Sequence, residues 1–221
     1  MKPIRDTLQC FVREEILPRY DAFDPGHRRD HAEAVIAQAL TLAGYYDVDP
    51  EILYVAAAYH DLGIAEGREM HHLVSGRIIR ADQRLLKWLS PEAVELAAQA
   101  AEDHRASSDR APRTLYGRII AEADRLIEPE TVIRRTVEYG FSHYPELDRE
   151  GHWQRTLDHL HEKYAEGGYL KLWIPESCNA QRLAELRALI ADETALRTRF
   201  EKYYDLCLTS SATNRSGKRA L

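Results

Sequence analysis

The sequence predicts an all-α protein, and three observations support this fold class. Apolar residues recur at three- and four-residue spacing in almost every segment. The alternating β-branched pattern that marks strands around Asn-Gly or Asp-Gly turns is missing. Asp49-Pro50 and Ser90-Pro91 place a side-chain acceptor before a proline, which is typical of a helix start. The chain should therefore fold as helices separated by short polar loops.

Each predicted helix follows from this periodicity and from the punctuation between segments. Gly63 and Gly67 close the third helix in a loop, and the polar stretch 106–112 ends the fifth helix near His104. The predicted helices cover 2–19, 26–46, 50–62, 69–89, 91–106, 112–127, 129–143, 149–166 and 178–207.

The pattern changes after about Glu146, where Gly167-Gly168 and Trp173-Ile174-Pro175 interrupt the helices. One long amphipathic pattern then returns. We expect a helical core over 1–145, an accessory helical segment over 146–208 packed on that core, and a flexible tail over 209–221.

Charge and cysteine usage limit the classes of protein that fit. Thirty Lys and Arg residues stand against 36 Asp and Glu residues, so no global positive field favours a nucleic-acid polymer or an anionic membrane. Cys10, Cys178 and Cys207 form neither a CxxC spacing nor a paired framework. The charged N-terminal segment does not resemble a signal peptide, and no apolar run reaches about 18 residues. These features predict a soluble cytoplasmic protein.

The most unusual local feature is a predicted helix that is apolar nearly all round and ends in His60-Asp61. Such a helix is normally buried. A buried carboxylate is costly unless a cation or several hydrogen-bond donors compensate for the lost water, and the neighbouring imidazole needs a partner as well. Metal ligation would satisfy both groups. The simpler alternative is that Asp61 caps a turn while His60 is a hydrogen-bonded core histidine.

Two other histidines lie on apolar faces of predicted helices. His31 shares its face with Ala34 and Val35, one turn further along. His104 follows a stripe of small residues that includes Ala100, and small side chains allow another group to approach closely. Core packing is the ordinary explanation for either residue alone.

An acidic residue and a histidine doublet extend the series. Asp124 has Ile120 one turn before it and Ile127 after it, so its carboxylate should point into the core. His71 and His72 are neighbours on one helix and diverge by about 100°, so only one can face the interior, and His71 shares the stripe of Ile78.

This ordered set resembles the HD-domain superfamily of metal-dependent phosphohydrolases. The defining pattern of that superfamily is a His, a His-Asp doublet and a distant Asp, which His31, His60-Asp61 and Asp124 match residue by residue. The resemblance covers about residues 20–130 and implies an all-α HD-domain bundle.

Two intervening histidines mark the dinuclear branch of the superfamily. The stretch that begins at His71 resembles the corresponding stretch of HD-GYP members, which also selects His71 over His72, and the surroundings of His104 resemble small bacterial HD hydrolases. Ile64-Ala65 replaces the Glu-Asp of the guanosine tetraphosphate hydrolases, and no Gly-Tyr-Pro motif is present. Neither that substrate nor a cyclic dinucleotide is favoured.

The resemblance implies hydrolysis of a phosphate ester or anhydride, on a nucleotide or a related small phosphorylated metabolite. One or two divalent transition-metal ions, among Mn, Fe, Co, Ni and Zn, would serve as cofactor. We expect one ion on His31, His60, Asp61 and Asp124, and a second on His71 and His104, with Asp61 bridging them and acting in catalysis.

Further residues near these ligands are candidates for the substrate itself. Arg105, beside His104, is a catalytic and phosphate-binding candidate, and His27 or Arg28 are candidates to hold phosphate oxygens or protonate the leaving group. His72 is a further candidate to bind substrate. Solvated surface charge is the simpler interpretation of Arg28.

Two other functions remain open at this level. The same six-ligand arrangement in some superfamily members holds two irons that activate dioxygen. A non-catalytic protein would instead use the metals structurally and the helical segment 178–207 as a partner or homodimer surface.

Overall fold

The computed structural model describes residues 2–23, 27–108 and 110–217, with side chains as far as Thr209. These residues form helices and no strands, which confirms the all-α prediction. The helices are α1 (Asp6–Phe11), α2 (Arg29–Ala43), α3 (Pro50–Tyr59), α4 (His71–Ala81), α5 (Pro91–Glu102), α6 (Leu115–Asp124), α7 (Pro129–His143), α8 (Arg149–Tyr164), α9 (Asn179–Ala191) and α10 (Glu193–Gly217).

The chain divides into two compact units. The first comprises Met1–Leu126 and Lys171–Ser177, and the second comprises Ile127–Leu170 and Cys178–Leu221. The division lies after Leu126, whereas the sequence places the boundary at residue 145; within the second unit, α7 packs with α8, α9 and α10. The predicted tail, 209–221, begins within α10; residues 218–221 lie outside the described residues.

The centre of the first unit is α3, of which every residue is buried. Its start is fixed as the sequence predicts, because the Asp49 side chain accepts a hydrogen bond from the Glu51 N–H. Glu51 is buried with its charge paired, since Arg5 Nε donates to its Oε1 at 2.8 Å. Helices α2, α5 and α6 pack against α3, which places the end of this helix in the interior.

A proline interrupts the first predicted helix. Helix α1 passes into a π-helical turn at Val12–Ile16 and then into a 3₁₀ segment at Leu17–Ala22. Pro18 has no N–H for the bond that an α-helix would make at this point, so the hydrogen-bonding pattern changes around it.

Two predicted helices are each divided by an aspartate. Asp82 ends α4, and its side chain accepts from the Arg84 N–H to start a 3₁₀ segment at Gln83–Lys87. Asp192 separates α9 from α10 and accepts from the Ala195 N–H. The prediction of single helices over 69–89 and 178–207 is therefore wrong, because these side chains cap new helical segments.

Two details of the first unit bring distant segments into close contact. A Cβ on Gly63 would lie 2.0 Å from the carbonyl oxygen of His71, so only glycine lets the loop after α3 pass the start of α4 this closely. The later segment of the first unit, Lys171–Ser177, is held by the buried Glu122. The Oε2 atom of Glu122 accepts from the Trp173 N–H at 2.6 Å and from the Ile174 N–H at 3.3 Å.

The second unit has an aromatic interior of its own. Trp153 and Phe200 lie 5.3 Å apart between ring centroids, and His152 stacks on Phe141 at 4.9 Å.

Within the described part of the chain, no helix has the length and apolarity needed to cross a membrane.

Candidate metal centre

The six ligands expected from the sequence all lie at or next to helix ends in the first unit. Several helices can direct one side chain each to a common point when their ends lie close together. His31 is in the first turn of α2, His60 and Asp61 follow α3, His71 is the first residue of α4, His104 lies two residues after α5, and Asp124 is the last residue of α6.

Three of these residues form the first group, His31, His60 and Asp124. His31 Nε2 lies 3.2 Å from Asp124 Oδ1 and 3.3 Å from His60 Nε2. His60 Nε2 is 3.7 Å from the same carboxylate oxygen. The two imidazoles are 7% and 0% exposed, so water reaches neither ring freely.

The second group consists of Asp61, His71 and His104. His71 Nε2 and His104 Nε2 are 3.1 Å apart, and each lies 3.4 Å from Asp61 Oδ1. The other oxygen of this carboxylate, Oδ2, faces the first group, at 3.2 Å from His60 Nε2 and 3.6 Å from His31 Nε2. Asp61 thus presents one oxygen to each group.

Backbone carbonyls orient three of the four imidazoles. The Nδ1 atoms of His60, His71 and His104 lie 2.7, 2.6 and 2.5 Å from the carbonyl oxygen three residues earlier in each case. An Nδ1 in this position donates its hydrogen to the carbonyl oxygen, so the Nε2 atom of each ring faces the interior, where in a neutral ring it offers a lone pair. This is the arrangement by which proteins commonly orient metal-binding histidines.

Interactions among these groups shift their pKa values strongly. Burial lowers the pKa of His31, but hydrogen bonds to Asp124 and Asp61 outweigh it and raise that pKa to about 10. Burial and the charge of His104 lower the pKa of His71 to about 4. Burial raises the pKa of Asp61, but the charge on His60 and hydrogen bonds from the surrounding histidines hold it well below its ordinary value. Burial likewise raises the pKa of Asp124, but the hydrogen bond from His31 and the nearby histidines hold it well below its ordinary value, so both carboxylates stay ionised.

The residues present fit divalent cations. In each group the three candidate ligand atoms lie within 4.8 Å of one another. Imidazole lone pairs that face one another at about 3 Å repel unless a proton or a metal ion lies between them, and two neighbouring carboxylates, buried Asp61 and partly buried Asp124, need positive charge. These buried His and Asp groups can bind metal ions, and imidazole with carboxylate suits divalent transition metals.

The structure also places the substrate candidates. Of the histidine doublet, His71 belongs to the second group, whereas His72 is half-buried and its Nδ1 has no hydrogen-bond partner among the described residues. The His27 ring lies 6.0 Å from the His31 ring. Arg28 is exposed at the N-terminal cap of α2. Arg105 Nε donates to Ser107 Oγ at 2.9 Å and its Nη1 donates to the Glu69 carbonyl, so it is held by the loops.

Two residues beside the centre were not predicted from the sequence. Tyr20 is fully buried; its hydroxyl donates to the Ala58 carbonyl at 2.9 Å and accepts from the Asp61 N–H at 3.4 Å. Arg125 is 4% exposed, with Nη1 2.9 Å from the His104 carbonyl oxygen and 3.6 Å from Asp124 Oδ2. A signal existed for Arg125, which directly follows the inward-facing aspartate, but none singled out Tyr20 among the 12 tyrosines.

Comparison with known proteins agrees with this geometry. Residues 28–128 match the family model described as HD domain, a range that contains all six residues of the two groups. No curated protein and no solved structure gives a significant match to the chain. HD domains bind divalent metals, and they typically belong to metal-dependent hydrolases. The family match, the all-α fold and the converging His and Asp side chains together identify residues 28–128 as an HD domain of the HD-domain superfamily.

Proposed function

We propose that this protein is a metal-dependent phosphohydrolase with two divalent ions in its HD domain, acting on a nucleotide or a related small phosphorylated metabolite. The observation that carries this proposal is the position of Asp61, with Oδ1 facing one pair of histidines and Oδ2 facing the other. A carboxylate shared between two ligand groups suits a two-metal site.

The two groups supply unequal sets of ligands. His31, His60 and Asp124 with the shared Asp61 would hold one ion, and His71 and His104 with the same Asp61 would hold the other. The ions would lower the pKa of bound water, provide hydroxide near neutral pH and neutralise charge on the transferring phosphoryl group.

Charge balance favours an anionic substrate. The two groups contain two carboxylates, Asp61 and Asp124, and four imidazoles. Two divalent ions would bring four positive charges against these two negative ones. The site would then carry a net positive charge in a largely buried environment. Electrostatic attraction in such a site is stronger than in water, and a phosphate dianion has the complementary charge.

The chain's own residues would then bind and orient the substrate. Arg105 and His27 lie next to ligands in the sequence or in space, and a guanidinium suits phosphate oxygens because it can donate two parallel hydrogen bonds. Arg105 would exchange its present contacts with Ser107 and the Glu69 carbonyl for the phosphate. Either His27 or His72 would protonate the leaving group.

A phosphate-release assay tests this proposal. Protein stripped with a chelator and then supplied with Mn²⁺ should release phosphate from at least one member of a panel of nucleoside mono-, di- and triphosphates, dinucleoside polyphosphates and sugar phosphates. The stripped protein should be inactive. Differential scanning fluorimetry should show a higher melting temperature with Mn²⁺, because an ion that binds only the folded state stabilises it.

The same experiment separates hydrolysis from dioxygen chemistry. Phosphate release should persist under anaerobic conditions. A protein that releases no phosphate from any panel member with Mn²⁺, Fe²⁺, Co²⁺, Ni²⁺ or Zn²⁺, yet consumes dioxygen when loaded with iron, would contradict the proposed function.

A further inference from the structure

Arg125 is a buried arginine in contact with both ligand groups. It follows Asp124 at the end of α6, and its side chain is 4% exposed. Burying a guanidinium removes its hydration, which is costly unless opposite charge and hydrogen-bond acceptors replace the water. The residue also lies beside two candidate metal ligands, where its charge would act against the binding of a cation. Its presence there needs an explanation.

The first contact explains how Arg125 acts on the first group. Its Nη1 lies 3.6 Å from Asp124 Oδ2, while Asp124 Oδ1 lies 3.2 Å from His31 Nε2. Arginine and the histidine group therefore face different oxygens of one carboxylate. The arginine charge attracts Oδ2 from this position, which favours the carboxylate rotation that leaves Oδ1 directed at the first group.

The second contact reaches the second group. The same Nη1 donates to the His104 carbonyl oxygen at 2.9 Å. His104 lies in a turn beyond the last residue of α5, where no helical hydrogen bond holds its carbonyl. The His104 imidazole in turn depends on this turn, because its Nδ1 is bound to the Ala101 carbonyl at 2.5 Å.

We propose that Arg125 is a positioning residue that holds Asp124 of the first group and His104 of the second group in register, so that both groups bind metal tightly. This inference rests on the proposed function only in that the two groups hold metal. It does not depend on the substrate. Residues that orient metal ligands typically contribute 10–100-fold to metal affinity.

Titration of metal-stripped protein with Mn²⁺ tests this role without any activity measurement. In Arg125→Met, a variant of similar length without charge, isothermal calorimetry should show Mn²⁺ affinity reduced by roughly 10–100-fold. Arg125→Lys keeps the charge beside Asp124 and should recover part of the loss. Electron paramagnetic resonance should show weaker coupling between two bound Mn²⁺ ions in Arg125→Met than in the unmodified protein.

Arg113→Met is the matched control. Arg113 contacts the end of α5, the helix that precedes His104: its Nε donates to Asp103 Oδ1 at 2.9 Å and its Nη2 donates to Glu102 Oε2 at 2.6 Å. These two acids belong to neither ligand group. A merely structural role for Arg125 predicts that Arg125→Met loses stability but keeps its Mn²⁺ affinity, as Arg113→Met should. Our inference predicts reduced affinity in Arg125→Met alone.

The outcomes are separable. Unchanged Mn²⁺ affinity in folded Arg125→Met, or equal weakening in Arg113→Met, would overturn the role of Arg125. If Arg125→Met does not fold, Arg125→Gln, which retains a donor for the His104 carbonyl but has no charge, carries the same test. Absence of Mn²⁺ binding by the unmodified protein would overturn the proposed function as well. A result that overturns only the role of Arg125 would leave the proposed function standing.

Discussion

Buried histidines occur in both units, but their surroundings differ. In the first unit, His60 is 0% exposed and its Nε2 faces Asp61 Oδ2 at 3.2 Å and His31 Nε2 at 3.3 Å. In the second unit, His152 is 4% exposed and stacks on the Phe141 ring at 4.9 Å. Burial of an imidazole is therefore a weak indicator of a site. Convergence of several nitrogens on carboxylates is the informative feature.

The pKa directions express the same difference. Carboxylates raise the pKa of His31 to about 10, so the first unit attracts positive charge. Burial, with Lys163 and Arg155 nearby, lowers the pKa of His159 in the second unit to about 4, so a positive charge on this imidazole is disfavoured. Among the described residues, the His and Asp groups suited to a metal all lie in the first unit.

The strongest test removes the shared carboxylate. Asp61→Asn should reduce phosphate release by at least about a thousandfold, because several kcal/mol of transition-state stabilisation would be lost and each 1.4 kcal/mol is a factor of ten. The measurement is turnover with Mn²⁺ on the best substrate of the panel. Asp82→Asn is the control, since Asp82 is largely buried in the same unit but pairs with Arg84. Wild-type turnover in Asp61→Asn would refute the role of this residue.

A pair of histidine variants tests the comparison directly. His60→Ala should bind little metal, whereas His152→Ala should keep the wild-type metal content. His152→Ala should instead lower the free energy of unfolding by about 1–3 kcal/mol, because it leaves a cavity beside Phe141. Elemental analysis and urea unfolding supply the two measurements. Loss of metal from both variants would show that the two environments do not differ as described.

The close approach at Gly63 offers a narrower test. Gly63→Ala should shift the start of α4, lower the free energy of unfolding by about 1–3 kcal/mol and weaken metal binding at the second group, because the new Cβ would meet the His71 carbonyl. Gly67→Ala is the control on the same loop; its φ of 117° makes alanine strained, but no atom lies within 4 Å of the new Cβ. Metal titration should separate them, and equal affinities would contradict this account of α4.

The smallest expected effect concerns acid stability. The folded pKa of His159 is about 4 against 6.5 for an ordinary histidine, so between these values the unfolded chain binds the proton more readily. Its contribution is favourable above pH 6.5 and is lost as pH falls to about 4, by about 1 kcal/mol after solvent screening. His159→Gln should flatten the pH dependence of urea unfolding in this range. An unchanged pH profile would show that His159 does not carry the effect.

The fold class and the candidate ligands could be predicted from the sequence because both predictions depend on local periodicity. Asp124 could be placed in the interior from its apolar neighbours alone, and His71 could be chosen over His72 from its helix stripe. The structure brings the predicted side chains together, but their role in binding metal stays a prediction for the titrations above.

What the sequence could not show depends on contacts between distant segments. The ends of α4 and α9 escaped prediction because an aspartate within a helical pattern reads as a surface residue until its capping hydrogen bond is known. Arg125 resembles an ordinary cation at a helix C-terminus, where basic residues are common. Only the turn at His104 shows that it has a different partner.

The short segment Lys171–Ser177 has a consequence for dividing this protein into pieces. It belongs to the first unit, although the chain on either side of it belongs to the second. A fragment ending at Leu126 would expose the Glu122 carboxylate, which in the intact chain accepts the backbone N–H groups of Trp173 and Ile174. The first unit therefore cannot be separated from the second by a single cut, and a truncated protein that is meant to keep the first unit intact must also keep Lys171–Ser177.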